Sequence, residues 1–298
     1  MSRQSILRGI SAPLLTPLHQ DGTINYEEYT RLTAFVAKAG IRGIFVCGTT
    51  GEFVNLTIDE RKRLLSAAIK GSTAQTRIMF NTTAMNLEDM KELFEWAKSE
   101  GAHAASVTAP YYHRYDAATL VAYFQRVSRL SGSLPLYLYN MPGMTQNPIT
   151  PEILHQVCST CPNIAGIKDS SMDFLLFQEL QCLELQEDFE LITGNDAQVL
   201  PALQADGAGA VIALAGVYPK LCQSIWDLYH AGDLEAARQA QTKVLKLRGL
   251  VRRIMPVMAH KKMLELQGFQ MGPARFPFRE LTQEESRAVK EGAKAILG

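Results

Sequence analysis

Asn163-Ile164-Ala165-Gly166-Ile167-Lys168-Asp169-Ser170-Ser171 is a short apolar run with one lysine set inside it. A continuous apolar run of strand length, closed by polar residues, describes a strand buried on both faces. Such strands belong to parallel sheets whose two faces are covered by helices. Runs of the same kind recur at 9–17, 43–48, 77–83, 104–110, 134–140, 164–170, 190–195 and 208–214. Segments with helical spacing of apolar residues lie between them, at 26–39, 58–70, 87–100, 117–130 and 175–185.

This alternation predicts an α/β fold, the (β/α)8 TIM barrel. An open doubly wound sheet would want a glycine-rich dinucleotide turn, and no G-x-G-x-x-G follows a strand here. Lys38-Ala39-Gly40-Ile41 and Ser99-Glu100-Gly101-Ala102 each put a glycine where a helix hands over to a strand, the left-handed closing position. Asp206-Gly207-Ala208-Gly209 repeats the theme before the last strand. After Leu228 the pattern turns wholly helical, at 233–250, 251–266 and 282–297. The chain is therefore expected to divide into a barrel over 1–228, carrying the active site, and a C-terminal helical appendage over 229–298. The appendage is expected against the barrel or against a partner subunit.

At 298 residues, 47% of them hydrophobic and 20% charged, the chain has ample material for one barrel and its core. Thirty basic residues balance thirty acidic ones, so no global field draws it to nucleic acid or to anionic lipid. The opening Met1-Ser2-Arg3-Gln4-Ser5-Ile6-Leu7 lacks the apolar centre of a signal peptide. The long uncharged window 130–151 is broken by Pro135, Pro142, Pro148 and Pro151, which rules out a spanning helix there. A cytoplasmic enzyme without nucleic-acid or membrane partners is expected. Five cysteines, an odd number, describe no disulfide framework. Cys158 and Cys161 form a CxxC with His155 nearby, but structural zinc wants four ligands and no second pair is spaced to supply them. Packing at a helix end is the plainer reading, and neither metal nor cofactor is expected.

Chemistry in a parallel barrel gathers at the C-terminal ends of the strands. Lys168 stands near the end of the sixth. A lysine is rarely buried without a reason, because desolvation disfavours its ammonium, and a neutral amine in a pocket can form a Schiff base with a carbonyl. The plainer alternative is a lysine at a strand end paired with Asp169. Gly48-Thr49-Thr50-Gly51-Glu52 follows the second strand; its glycines let backbone approach a ligand, and its N–H and hydroxyl groups suit a carboxylate. Tyr139-Asn140-Met141-Pro142 ends the fifth strand, and Tyr139 aimed at the mouth can exchange protons, whereas Tyr137 suits packing with a satisfied hydroxyl. Ala109-Pro110-Tyr111-Tyr112 adds two phenols after the fourth strand. Gly194-Asn195-Asp196 ends the seventh, able either to meet the polar end of a substrate or to cap a helix. His103, His113, His230 and His260 are scattered without ligand spacing, and Met255, Met258 and Met263 read as helix packing.

G-T-T-G-E at 48–52, P-Y-Y at 110–112, Y-N-M-P at 139–142, G-I-K-D-S-S at 166–171 and G-N-D at 194–196 occur in one order along nearly the whole chain. Together they resemble the dihydrodipicolinate synthase / N-acetylneuraminate lyase family of Schiff-base, pyruvate-handling lyases. The resemblance implies Lys168 as the Schiff-base lysine and Tyr139 as the proton-transfer phenol. It implies Thr49 and Thr50 at the pyruvate carboxylate, with Thr49 relaying protons, and Val211 lining the pyruvyl group. Tyr112 matches a phenol lent across a subunit interface, within a homotetramer built as a dimer of dimers. Gly51, Gly194, Asn195 and Asp196 complete the expected substrate contacts, and no cofactor or metal takes part.

Two positions depart from the family's better-known members. Met144 stands where the synthase has an arginine for the carboxylate of aspartate semialdehyde, and methionine cannot make that salt bridge. Ala197 stands where sialic acid lyases carry a glutamate after Gly-x-Asp. The expected activity is thus a class I pyruvate-dependent aldolase or lyase acting on a 2-keto-3-deoxy sugar acid or similar 2-oxo acid. The alternatives are dihydrodipicolinate synthase itself, a dehydratase of deoxy-oxo sugar acids, and a non-catalytic sensor or scaffold barrel. That last class often loses the lysine or the tyrosine, and this chain has both.

Overall fold

In the computed structural model, which describes residues 5–298, eight parallel strands close on themselves in sequence order. They are β1 (Gly9–Pro13), β2 (Gly43–Val46), β3 (Arg77–Asn81), β4 (Ala104–Thr108), β5 (Leu136–Asn140), β6 (Ile164–Asp169), β7 (Glu190–Thr193) and β8 (Gly209–Val211). Pairing of β8 with β1, through Gly9↔Gly209 and Ser11↔Val211, completes the ring. The fold is the TIM barrel expected from the alternation. Residues 1–4 of the N-terminal stretch lie outside the described residues.

Every strand candidate is found, and each ladder ends at or before its sequence-read end. Residues beyond the ladders, such as Leu14 and Ile212, stay fully buried. Apolar runs report burial, and burial continues after strand pairing has stopped. The helix read at 175–185 is Phe174–Gln181, and the two segments read at 233–250 and 251–266 are the helices Leu234–Arg252 and Pro256–Glu265, the second starting five residues later than read. Pro256 explains the break, since the residue before a proline is disfavoured in helical conformation. Gly40 and Gly101 do close helices in left-handed conformation, at φ 92° and 81°. Before β8 the left-handed residue is instead Asp206, at φ 58°; a Cβ on Gly207 would lie 2.8 Å from the Ala202 carbonyl oxygen.

Local chemistry agrees with the topology. Asn25, Thr57, Asn86, Asp116 and Thr150 each accept a first-turn backbone N–H, starting the helices Tyr26–Lys38, Ile58–Gly71, Leu87–Ser99, Ala117–Ser131 and Pro151–Thr160. At Thr57 a reciprocal bond from Glu60 completes a capping box. Two apolar layers result. One lies between strands and helices, and the other fills the barrel interior with Leu7, Phe45, Met79, Ala104, Tyr137, Tyr139, Ala165, Ile192, Ala208 and Val211. Tyr137 plugs the N-terminal end, fully buried, with its hydroxyl on the Glu190 carboxylate.

The Pro219–His230 helix runs across residue 228, and the helices that follow fold back over the barrel. Gln241 bonds the backbone of Asp196 and Leu200 at 2.8 and 2.9 Å. Arg275 forks onto Glu60 at 2.8 and 2.9 Å and also reaches the Gly22 and Asn55 carbonyls. Met258 and Met263 pack in the interior as expected. Cys158 and Cys161 are buried while His155 faces solvent, so the CxxC motif forms no common cluster with it. Among the described residues no helix is long and apolar enough to cross a membrane.

His260, buried in the Pro256–Glu265 helix, gives this packing a pH dependence. Burial lowers its pKa from 6.5 to about 4, partly offset by a hydrogen bond to the Pro256 backbone. Below pH 6.5 the unfolded chain binds a proton that the folded chain refuses, so stability falls as pH drops from 6.5 to about 4. The shift corresponds to roughly 3 kcal/mol over that window. Denaturant titrations across pH 4–7 are expected to show His260→Gln losing most of this slope. A slope equal to that of the unaltered protein would refute the assignment.

Candidate active site

Lys168 enters the barrel from β6, beside Tyr139 on β5 and Ile192 on β7 in the ladder register. Its residue exposure is 4%, and Nζ lies 4.0 Å from the centroid of the Tyr139 ring and 4.9 Å from that of Phe45. Among the described residues no carboxylate pairs with it. Asp169, the partner of the plainer reading, is held on the other face of the strand. Its carboxylate accepts Asn140 Nδ2 at 2.7 Å and the Ser171 hydroxyl at 2.8 Å. Room for the lysine stem comes from Gly194, where a Cβ would sit 2.9 Å from Lys168 Cε and collide with the Ser170 hydroxyl.

The turn after β2 meets this lysine from across the mouth. Thr49–Gly51 form a single 3-10 turn, whose leading N–H groups have no acceptor within the turn. Thr49 Oγ1 lies 3.2 Å from Tyr139 Oη, joining the turn to the phenol. The same phenol donates to Met141 Sδ at 2.8 Å, and its ring meets Phe45 edge-on at 6.0 Å between centroids. The turn is anchored from below: Thr16 bonds the Gly51 carbonyl and Asn81 the Cys47 carbonyl, both at 2.8 Å. Burial pushes the nearby Cys47 thiol up to about 12, so no thiolate competes as nucleophile.

The structure thus brings Lys168, Tyr139, Thr49, Thr50, Gly51, Gly194 and Val211 to one end of the barrel. The remaining sequence-read residues take other partners. Asn195 Oδ1 caps the following turn through Ala197 N at 3.1 Å, and Asp196 Oδ1 accepts Leu214 N at 3.0 Å. Burial raises the Asp196 pKa. Tyr112 is 80% exposed at φ 83°, its ring against His113, and makes no bond to Thr49 within the chain. Met144, in the short Pro142–Thr145 helix, is 65% exposed. A cavity of about 670 Å³ opens at the opposite end of the strands, lined by Arg8, Arg42, Thr76 and Trp226 among others. No pair of reactive groups converges there as Lys168 and Tyr139 do at the mouth.

A profile of the dihydrodipicolinate synthetase family matches residues 6–296. The chain belongs to this family. It is 28% identical over 286 residues to the 4-hydroxy-tetrahydrodipicolinate synthase of Thermoanaerobacter sp. (strain X514), covering 96% of this chain and 95% of that one. It is 30% identical over 292 residues to a DapA-like lyase of Halobacterium salinarum, covering 98% and 94%. Among solved structures it superposes on the prophage protein YagE of E. coli K12, crystallised with pyruvate, with TM-score 0.92 and 25% identity over 98% and 99% of the chains. Members of the dihydrodipicolinate synthetase family are lyases that act through a lysine Schiff base with pyruvate, and this chain is a lyase of that family.

Sequence reasoning missed what supports the turn. Glu52 is left-handed, at φ 62°, and its carboxylate meets Lys261 Nζ at 2.8 Å with both side chains 1–2% exposed. The contact is misaligned for a hydrogen bond, and neither charged group has another hydrogen-bond partner. Attraction between the two charges, joined by that of Arg275 for Glu52, opposes the desolvation of both, which makes either one alone costly. Lys261 sits in Ala259-His260-Lys261-Lys262-Met263-Leu264, where an inward-facing lysine on an apolar helix was the available signal. Lys261→Met is expected to cost about 3–5 kcal/mol of stability by stranding Glu52. Glu52→Gln combined with Lys261→Met should restore much of it in denaturant titration. A double-variant loss equal to the sum of the losses of Lys261→Met and Glu52→Gln alone would show the two charges to be uncoupled.

Proposed function

We propose that the protein is a class I aldolase that interconverts a 2-keto-3-deoxy sugar acid, or a similar 2-oxo acid, with pyruvate and an aldehyde. One observation carries this reading: a buried lysine without a carboxylate partner, 4.0 Å over the ring of a tyrosine whose hydroxyl meets the Thr49 turn. In this reading the uncharged Lys168 amine adds to the 2-keto carbon and water leaves, giving a protonated imine. The iminium accepts the electron pair of the carbon–carbon bond that breaks, and pyruvate is left as its enamine. Tyr139 takes the hydroxyl proton of the departing aldehyde, with Thr49 in the relay. Protonation of the enamine and addition of water then release pyruvate and the free lysine.

The N–H groups of Thr49 and Thr50 hold the carboxylate and fix the keto carbon above Lys168. Gly51 and Gly194 keep space open at that point, and Val211 lines the three-carbon fragment. The exposed Tyr112 suits a phenol that completes the relay of a neighbouring subunit in a homotetramer. The same proposal takes residues 1–228 as the catalytic barrel and 229–298 as its helical appendage. The cytoplasm is its place of action, where five unpaired cysteines are kept reduced.

Dihydrodipicolinate synthase is the second reading, favoured by the names of the curated relatives. The solvent-facing Met144 weighs against it, since that position offers no grip on a second carboxylate. Borohydride reduction with pyruvate, followed by peptide mass spectrometry, is expected to mark Lys168. An unmodified Lys168 peptide would sink the mechanism. Tyr139→Phe should lower kcat by about 10²–10⁴-fold. Pyruvate release from 2-keto-3-deoxy sugar acids, set beside condensation with aspartate semialdehyde, separates aldolase from synthase.

A further inference from the structure

The helix Leu234–Arg252 is fixed on the loop after β7 by Gln241, through the backbone of Asp196 and Leu200. Arg248 lies seven residues further on, two turns along the same face, and Arg252 follows one turn later. Both guanidinium groups converge on one atom, Met172 Sδ, at 3.4 Å each. Met172 is left-handed, at φ 66°, half exposed, and only four residues beyond Lys168. Chain geometry limits the separation of their Cα atoms to about 14 Å.

Two arginines on one thioether is an arrangement without an electrostatic reason of its own. A thioether is a weak acceptor, and neither arginine forms an ion pair among the described residues. Partial burial, and after it repulsion from Arg252, lower the Arg248 pKa against a favourable pull from Asp196. Asp196 in turn feels Lys168, so the pair lies at the same mouth as the amine. A chain with no net charge gives no background field that would place two cations there.

We infer that Arg248 and Arg252, with Met172 between them, form an anion subsite at the barrel rim that receives the far end of the substrate. The substrate is then a 2-oxo acid whose aldehyde half ends in a carboxylate or a phosphate. This deepens the aldolase reading and rests on it. A guanidinium pair one turn apart suits the oxygens of either group, and the anion takes the place next to the thioether. The subsite also answers the departure at Met144. Positive charge absent after β5 is supplied beside the loop after its neighbour β6.

The test uses the full chain and three substrates of one carbon skeleton: a 2-keto-3-deoxy sugar acid ending in a hydroxyl, in a carboxylate, or in a phosphate. One anionic form is expected to exceed the hydroxyl form in kcat/KM by about 10–100-fold, as charged hydrogen bonds at a partly buried site give. Which anion wins distinguishes carboxylate from phosphate. Arg248→Gln with Arg252→Gln should collapse that ratio mainly through KM, and the paired lysine substitutions should restore part of it. A hydroxyl form equal or superior to both anionic forms overturns the subsite. So does a ratio that survives the double glutamine variant. Calorimetry with inorganic phosphate and with succinate at low salt reads the subsite without any chemistry. Binding that the glutamine variant loses supports it even if borohydride trapping fails, and binding that the variant keeps overturns it. Trapping with no anion preference leaves the aldolase reading standing and removes this one.

Discussion

A lysine amine kept out of water without a carboxylate beside it is the constraint on which the rest of the structure depends. Burial disfavours the charged form of such a group, and most proteins answer with an acidic partner. Here the answer is aromatic: the faces of Tyr139 and Phe45 lie against Nζ, while Asp169 is tied to Asn140 and Ser171 on the far side of the strand. An ionic partner would hold the nitrogen protonated and occupied. Ring faces hold it in position without the ion pair that a carboxylate would form. The small residue at position 194 and the inward register of β5 and β6 follow from the need to seat that stem.

Strain gathers at the same end. Cys47, Glu52, Tyr112, Gln146 and Met172 all have positive φ without being glycine, and all lie in segments that follow the C-terminal ends of strands. Such conformations persist only where surrounding contacts over-determine them. Glu52 shows how: its charge is buried against Lys261, so the turn carrying Thr49 and Thr50 is bound electrostatically to a helix more than 200 residues later. The C-terminal helices are thereby part of the mouth. Gln241 makes a second such tie at Asp196 and Leu200, and Arg275 a third at Glu60.

The barrel was legible because its strands are apolar on both sides and its helices are on one, a difference of period that survives in a single sequence. Strand ends were not, since Leu14 and Ile212 are as buried as the ladder residues they follow. Lys168 and Tyr139 stood out because each is a polar interruption of an apolar run. Asn195 and Asp196 carried the same polar signature and accept backbone N–H groups, a use that residue type alone does not separate from a substrate contact. The Glu52–Lys261 pair was invisible for a related reason. Each charge looks solvated in its own segment, and only the folded chain shows that they meet. Phe45 was readable in principle, being the inward residue of Gly43-Ile44-Phe45-Val46, but aromatic residues inside barrels are too common to be singled out.

Strands and later elements divide the labour in the proposed site, the strands carrying the reaction and the later elements the choice of substrate. Lys168 and Tyr139 are built on adjacent strands as register partners, where backbone pairing holds them side by side. Met144, Ala197, Met172 and the two arginines of the Leu234–Arg252 helix lie in loops and in the appendage, outside that ladder. A change there alters what reaches the amine without moving the amine. In the proposed reaction the motifs shared with the family locate the chemistry, and the departures from them, an exposed methionine after β5 and two arginines without an ion pair among the described residues, are what bears on the aldehyde. On the proposed subsite, substrate choice rests on the charges that the rim lacks and on those that it adds.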